Sequence, residues 1–195
     1  MKQKRVYIIH GWEGRPEDAW FPWLKSKLEK EGFEVFIPAM PNTEEPTIDE
    51  WVNHLLEIVP SPNEDTYFIG HSIGCQAILR YLEKLNNKKI GGAVFVSGWF
   101  ILKNLETKEE WEIADPWINT PIDFEKVKSA THNFIAVFSD NDPFVPLEEN
   151  KKLFSEKLNA EIIIEKNKGH FTGEDGVYET PSVLQIFSDI LKQGK

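Results

Sequence analysis

The sequence predicts a three-layer, doubly wound α/β fold, with about six parallel strands in the order 2-1-3-4-5-6 and helices on both faces. Three observations lead there. Short apolar runs alternate with amphipathic segments along the whole chain. Several runs are continuous, as in Val6-Tyr7-Ile8-Ile9, Ala93-Val94-Phe95-Val96 and Ile162-Ile163-Ile164. Strands buried on both faces read this way, so the sheet is expected to be parallel and covered. Lastly, Gly and Pro punctuate the joints between segments instead of clustering into a linker.

The strand candidates are 5–9, 34–38, 66–69, 93–97, 134–139 and 161–165. Between them lie helical patterns at 20–31, 48–59, 73–85, 147–158 and 182–192. The second carries Trp51, Val52, Leu55, Leu56 and Val59 on one stripe at helical spacing. Residues 98–127 break the rhythm, with Trp99, Trp111 and Trp117, two prolines and a run of charges. A connection of that length inside a compact domain reads as a lid-like insertion. With 195 residues the chain suits one domain, 1–195, with one well-packed core.

Charge and cysteine content exclude several classes. Twenty-two Lys and Arg stand against 32 Asp and Glu, a formal net charge of −10. That field repels polyanions, so nucleic acid is not an expected partner. The single cysteine, Cys75, rules out an intrachain disulfide and a cysteine-rich zinc site. It fits a reducing, cytoplasmic compartment and reads as a small buried helix residue. No His or acidic cluster has metal-ligand spacing, so neither metal nor cofactor is expected. No apolar run approaches the roughly 20 residues a membrane crossing needs, and the run after the basic start is too short for a signal-peptide core.

The chemistry concentrates at Gly70-His71-Ser72-Ile73-Gly74. A buried-strand pattern precedes this G-x-S-x-G and a good helix follows it. Strand, tight turn and helix together form a nucleophile elbow, which thrusts the serine hydroxyl up at the C-terminal edge of the sheet. Strand and helix pass so closely there that Gly70 and Gly74 have little room for side chains.

A serine nucleophile needs a base, and the base an orienting acid. His170, in Lys168-Gly169-His170-Phe171 just after the last strand candidate, has the position for the base. For the acid, Asp140 and Asp142 both follow the strand 134–139, and either one would also serve to cap the turn before the next helix. Asp115 is an outside candidate. The first loop, His10-Gly11-Trp12, lies across the strand-order switch point from Ser72, where ligands bind in such sheets. The loop tryptophans Trp12, Trp99, Trp111 and Trp117 are candidates for the walls of an apolar acyl pocket, with Trp99, Trp111 and Trp117 as its expected substrate-binding residues.

The combination of His10-Gly11, Gly-His-Ser-x-Gly, Asp-Asn-Asp-Pro-Phe-Val-Pro and Gly-His-Phe resembles the small serine hydrolases of the retinoblastoma-binding protein 9 type. Trp20-Phe21-Pro22-Trp23-Leu24 is similar to their bacterial branch. The resemblance implies a compact α/β-hydrolase fold with Ser72, Asp142 and His170 as a catalytic triad, and it favours Asp142 over Asp140. By the same analogy the oxyanion donors are the backbone N–H groups of Trp12 and Ile73.

The expected activity is hydrolysis of a carboxylic ester through an acyl-enzyme, with a small-molecule acyl substrate as partner. Thioesterase, amidase or acyltransferase chemistry is the alternative within the fold, and a non-catalytic binding protein the alternative outside enzymes. The Leu-x-Cys-x-Glu motif for retinoblastoma-type pocket proteins is absent, so that partner is not expected.

Overall fold

The structure, a computed structural model, describes residues 3–86 and 88–193. Its six strands are β1 (Arg5–Ile9), β2 (Glu34–Phe36), β3 (Thr66–His71), β4 (Gly92–Val96), β5 (Phe134–Ser139) and β6 (Glu161–Glu165). They form one sheet in the order β2-β1-β3-β4-β5-β6, with every neighbouring pair parallel. This is the order the sequence predicts. Parallel neighbours need crossovers, and helices supply them: α1 (Phe21–Lys30), α2 (Ile48–Ile58), α3 (Ile73–Glu83), α4 (Lys108–Asn119), α5 (Phe124–Ala130), α6 (Leu147–Leu158) and α7 (Pro181–Gln193).

Alternation along each strand splits the apolar side chains between two cores. On one face Tyr7, Ile9, Phe68, Phe95, Ala136 and Phe138 pack against residues of α2, α3, α5 and α6, such as Leu55, Ile78, Val127 and Phe154. On the other, Val6, Ile8, Ile69, Val94, Val96 and Val137 meet Leu24 and Leu28 of α1 and Val183 and Phe187 of α7. The central strands are therefore covered on both faces, which is why β3 and β4 read as continuous apolar runs. Among the described residues no helix is long and apolar enough to cross a membrane.

Residues 98–127 are more regular than the weak periodicity suggests. They contain α4 and the start of α5. At the first turn of α4, Thr107 Oγ1 accepts from Glu110 N while the Glu110 carboxylate accepts from Thr107 N, a reciprocal capping box. Asp123 caps α5 by accepting from Lys126 N. Pro116 and a first turn rich in Glu blur the apolar stripe of α4, of which Ala114 and Trp117 are buried.

Candidate active site

Ser72 stands between the last residue of β3 and the first of α3, with φ 52° and ψ −122°. A non-glycine residue held there stores about 1–3 kcal/mol of strain. Close packing keeps it in place. Ser72 N–H donates to Val96 O at 3.0 Å. A Cβ on Gly74 would lie 2.4 Å from Ile9 O, and one on Gly70 2.8 Å from Cys75 N. Neither position admits a side chain, because the start of α3 lies directly on the end of β1 at Gly74 and folds back onto β3 at Gly70.

The loops after β5 and β6 bring two more groups to this point. Ser72 Oγ donates to His170 Nε2 at 2.9 Å, and His170 Nδ1–H donates to Asp142 Oδ2 at 2.8 Å. Asp142 is buried and satisfied on both oxygens. Ser97 Oγ donates to Oδ2 at 2.9 Å, while the N–H groups of Phe144 and Val145 donate to Oδ1 at 2.9 and 3.0 Å. Burial alone would push its carboxyl up. The hydrogen bond and charge of His170, with those two N–H groups, outweigh burial and hold it below the usual carboxylate range. Asp140 and Asp115 are exposed and bonded elsewhere, Asp140 to Asn167 N and Asp115 to the Asn119 side chain.

Ser97 and His71 belong to this arrangement, although sequence reasoning passed over both roles. Ser97 follows β4 with φ 45° and aims its hydroxyl at Asp142, a partner 45 residues away. The available signal was its place at the same strand end as the other three groups. His71 Nε2–H donates to His170 O at 2.7 Å and so holds the loop that carries His170. Burial, with neighbouring His170 second, pushes His71 down to about 3, so its ring is neutral at pH 7. Asp175 accepts from His170 N and from the Thr172 hydroxyl, which ties down the same loop. On the opposite side His10 Nδ1–H donates to Gly11 O while Nε2 accepts from Met40 N, fixing the first loop.

The serine opens into a cleft of about 240 Å³ lined by Gly11, Trp12, Glu13, His71, Ile73, Trp99, Leu102, Leu105, Glu110, Phe144, His170 and Thr172. Trp12 and Trp99 thus lie where the sequence reading expects them. Trp111 and Trp117 do not, and the pocket expectation is corrected for both. Trp117 is 1% exposed and sits in the core, edge-on to Trp51, with its indole N–H on Pro46 O at 2.9 Å. Trp111 is 40% exposed and turns its indole N–H back onto Leu105 O, outside the cleft wall. Cys75 is buried behind the elbow with Sγ 3.6 Å from Val96 O, and burial pushes its thiol well up. It is not poised as a second nucleophile.

A parallel sheet of order 2-1-3-4-5-6, carrying a serine elbow with a histidine and an aspartate in hydrogen-bonded sequence, defines an α/β hydrolase. The serine hydrolase family model matches residues 6–189, and the chain belongs to that family. It is 33% identical over 186 residues to the hydrolase YdeN of Bacillus subtilis (strain 168), covering 95% of each chain. The crystal structure of the ydeN gene product superposes with a TM-score of 0.88 at 30% identity, over 97% of this chain and 100% of that one. Serine hydrolase RBBP9 of Rattus norvegicus is 28% identical over 153 residues, 78% of this chain and 77% of that one. Est1E from Butyrivibrio proteoclasticus superposes with a TM-score of 0.70 over 98% of this chain and 86% of its own, at 17% identity, a likeness of fold alone.

Proposed function

We propose that this hydrolase cleaves carboxylic esters of small acyl groups through an acyl-enzyme on Ser72. The observation that carries the reading is the unbroken path Ser72 Oγ, His170 Nε2, His170 Nδ1, Asp142 Oδ2, with steps of 2.9 and 2.8 Å across the ring. His170 takes the serine proton as Oγ attacks the carbonyl carbon, then passes it to the leaving alcohol. Water repeats the cycle on the acyl-enzyme. Asp142 keeps Nδ1 protonated, so that Nε2 faces the serine as a base.

The proposed donors to the developing oxyanion are the backbone N–H groups of Ile73 and Trp12. Ile73 is the first residue of α3, so its N–H has no intrahelical acceptor, and it lines the cleft. Trp12 lines the same cleft from the end of the first loop. Removing one such donor in other enzymes costs about 3–4 kcal/mol in the barrier. The small volume and the apolar walls Trp12, Trp99, Leu102, Leu105 and Phe144 support a short, uncharged acyl group as the substrate.

The test is covalent. A fluorophosphonate probe is expected to label the wild type and not Ser72→Ala, and p-nitrophenyl acetate to be turned over by the wild type. Folded wild type that stays unlabelled between about pH 6 and pH 9 refutes the reading. A matched panel of ester, thioester and amide separates the ester assignment from its neighbours. Faster turnover of the thioester or the amide would replace it.

A further inference from the structure

We infer that the indole N–H of Trp99 is a catalytic donor to the serine oxygen, acting chiefly when that oxygen leaves during deacylation. The inference rests on the acyl-enzyme reading above and adds a group to it. Trp99 Nε1 lies 3.4 Å from Ser72 Oγ, and Trp99 as a residue is only 2% exposed although it lines the cleft. The distance is long for the resting enzyme. Catalytic hydrogen bonds commonly tighten only as charge develops on the acceptor.

What singles Trp99 out is the effort spent on fixing its loop. Two primary amides, Gln76 and Asn150, are buried to 1% and 0% exposure, and the hydrogen bonds of their side chains go to none of Ser72, His170 and Asp142. Burying such a group costs about 1–3 kcal/mol unless it is well bonded. Both are bonded to this loop, Asn150 through both of its polar atoms and Gln76 through Nε2 alone, its buried Oε1 having no partner among the described residues. Gln76 Nε2 donates to Trp99 O at 2.6 Å. Asn150 Oδ1 accepts from Phe100 N and Ile101 N at 2.7 and 3.1 Å, and its Nδ2 donates to Ile101 O at 2.9 Å. Immediately before them, Ser97 holds φ 45°, and a Cβ on Gly98 would lie 2.7 Å from the Phe154 ring. The loop is held at each of these points, and its position brings the indole edge to Oγ.

The chemistry of Oγ sets when the donor matters. In acylation Oγ gives electron density to the acyl carbon, so an N–H on it helps little. In deacylation water adds to the acyl carbon and its proton passes to His170 Nε2. The bond between the acyl carbon and Oγ then breaks, its electron pair stays on Oγ, and His170 returns the proton there as the carboxylic acid leaves. A donor aimed at Oγ stabilises the negative charge of that last step.

Trp99→Phe keeps an aromatic wall and removes the donor. With p-nitrophenyl acetate the variant is expected to give a burst stoichiometric with enzyme. A steady state slower than wild type by about tenfold follows, the worth of one neutral hydrogen bond. Its kcat/KM, which reports acylation, stays within about threefold. An equal fall in kcat/KM and kcat, or an unchanged kcat, overturns the inference, since a residue that only walls the cleft acts on both steps. Wild type that gives neither labelling nor a burst overturns the acyl-enzyme reading beneath it instead.

A second measurement needs no turnover and serves even if Trp99→Phe does not fold. In ¹H–¹⁵N spectra of the protein labelled at its tryptophans, one indole signal is expected to shift far more than the rest. It shifts when Ser72 is changed to Ala, and again when Ser72 is phosphonylated. Indole signals that all stay in place refute the contact.

Discussion

Asp142→Asn tests the proposed acid of the site, because the structure fixes what the new amide must do. Four donors converge on the carboxylate, two on each oxygen. An amide offers one oxygen. Backbone N–H groups of Phe144 and Val145 cannot turn away, so they hold the amide oxygen at the Oδ1 position. The NH₂ group then faces Ser97 Oγ and His170 Nδ1. A hydroxyl rotates to accept, but imidazole must present a bare Nδ1 and move its proton to Nε2. Nε2–H then points at Ser72 Oγ, and the base is gone although the fold is kept. This exchange of tautomers in another serine hydrolase lowers kcat by about 10⁴, near 5.5 kcal/mol in the barrier. A loss of about that size is expected here in p-nitrophenyl acetate turnover, with thermal unfolding shifted by a few degrees at most. Asp140→Asn, which touches Asn167 N at the surface, is expected to stay within about twofold of wild type. More than about a tenth of wild-type activity in Asp142→Asn, or a matching loss in Asp140→Asn, refutes the assignment of the acid.

Stability is expected to fall on acidification. The unfolded chain protonates His71 near its ordinary 6.5, whereas the folded chain resists until about 3, so the folded state binds fewer protons in that window. The contribution is complete above 6.5 and is lost as pH falls, at about 1.4 kcal/mol per pH unit. His10, also held below its ordinary value by burial, adds to the slope. Asp142 acts in the same sense lower down, below the ordinary Asp value of 3.8. Urea unfolding at pH 7 and pH 5 measures the slope, and His71→Gln should flatten it; an equal slope in the variant speaks against a buried neutral His71. Gly74→Ala drives a Cβ into Ile9 O and His10 O, and should cost about 3 kcal/mol together with most of the activity. A variant that is stable and active would show that the elbow can relax. Trp117→Ala should destabilise by about 3–5 kcal/mol and Trp111→Ala by under about 1 kcal/mol, because the first leaves a hole in the core and the second bares a surface loop. Thermal melts that reverse this order would contradict the placement of α4.

The sheet and the elbow were legible because local pattern determines them. A strand covered on both faces must be apolar at every position, and Val6 to Ile9, Ala93 to Val96 and the stretch before Gly70 all are. The elbow was legible because its glycines answer close contacts, Gly74 with the end of β1 and Gly70 with the start of α3. Residues 98–127 were harder for an equally physical reason. α4 buries so narrow a stripe that its apolar residues fall out of clear period, and Thr107-x-x-Glu110 was the sign of a helix start that the pattern concealed. Trp111 and Trp117 both looked like pocket residues, since a tryptophan in a poorly patterned segment carries no direction. Their helix sends one to solvent and the other into the core.

The groups around Ser72 show where such reading stops. Ser97, Gln76 and Asn150 are ordinary small polar residues in sequence, with no motif to mark them. Each acts on a partner at least 23 residues away, across the end of a strand or the start of a helix. Their significance lies in burial without charge and in hydrogen bonds that converge on one strand end, which only the assembled sheet creates. β1, β3, β4, β5 and β6 end side by side, so five loops that are remote in sequence meet above one edge. On the proposed reading Ser72 supplies the nucleophile. The four loops around it supply the base, the acid, the cleft wall and the indole donor, and the hydrogen bonds and close packing that hold those loops keep a strained φ of 52° at Ser72 aligned with His170.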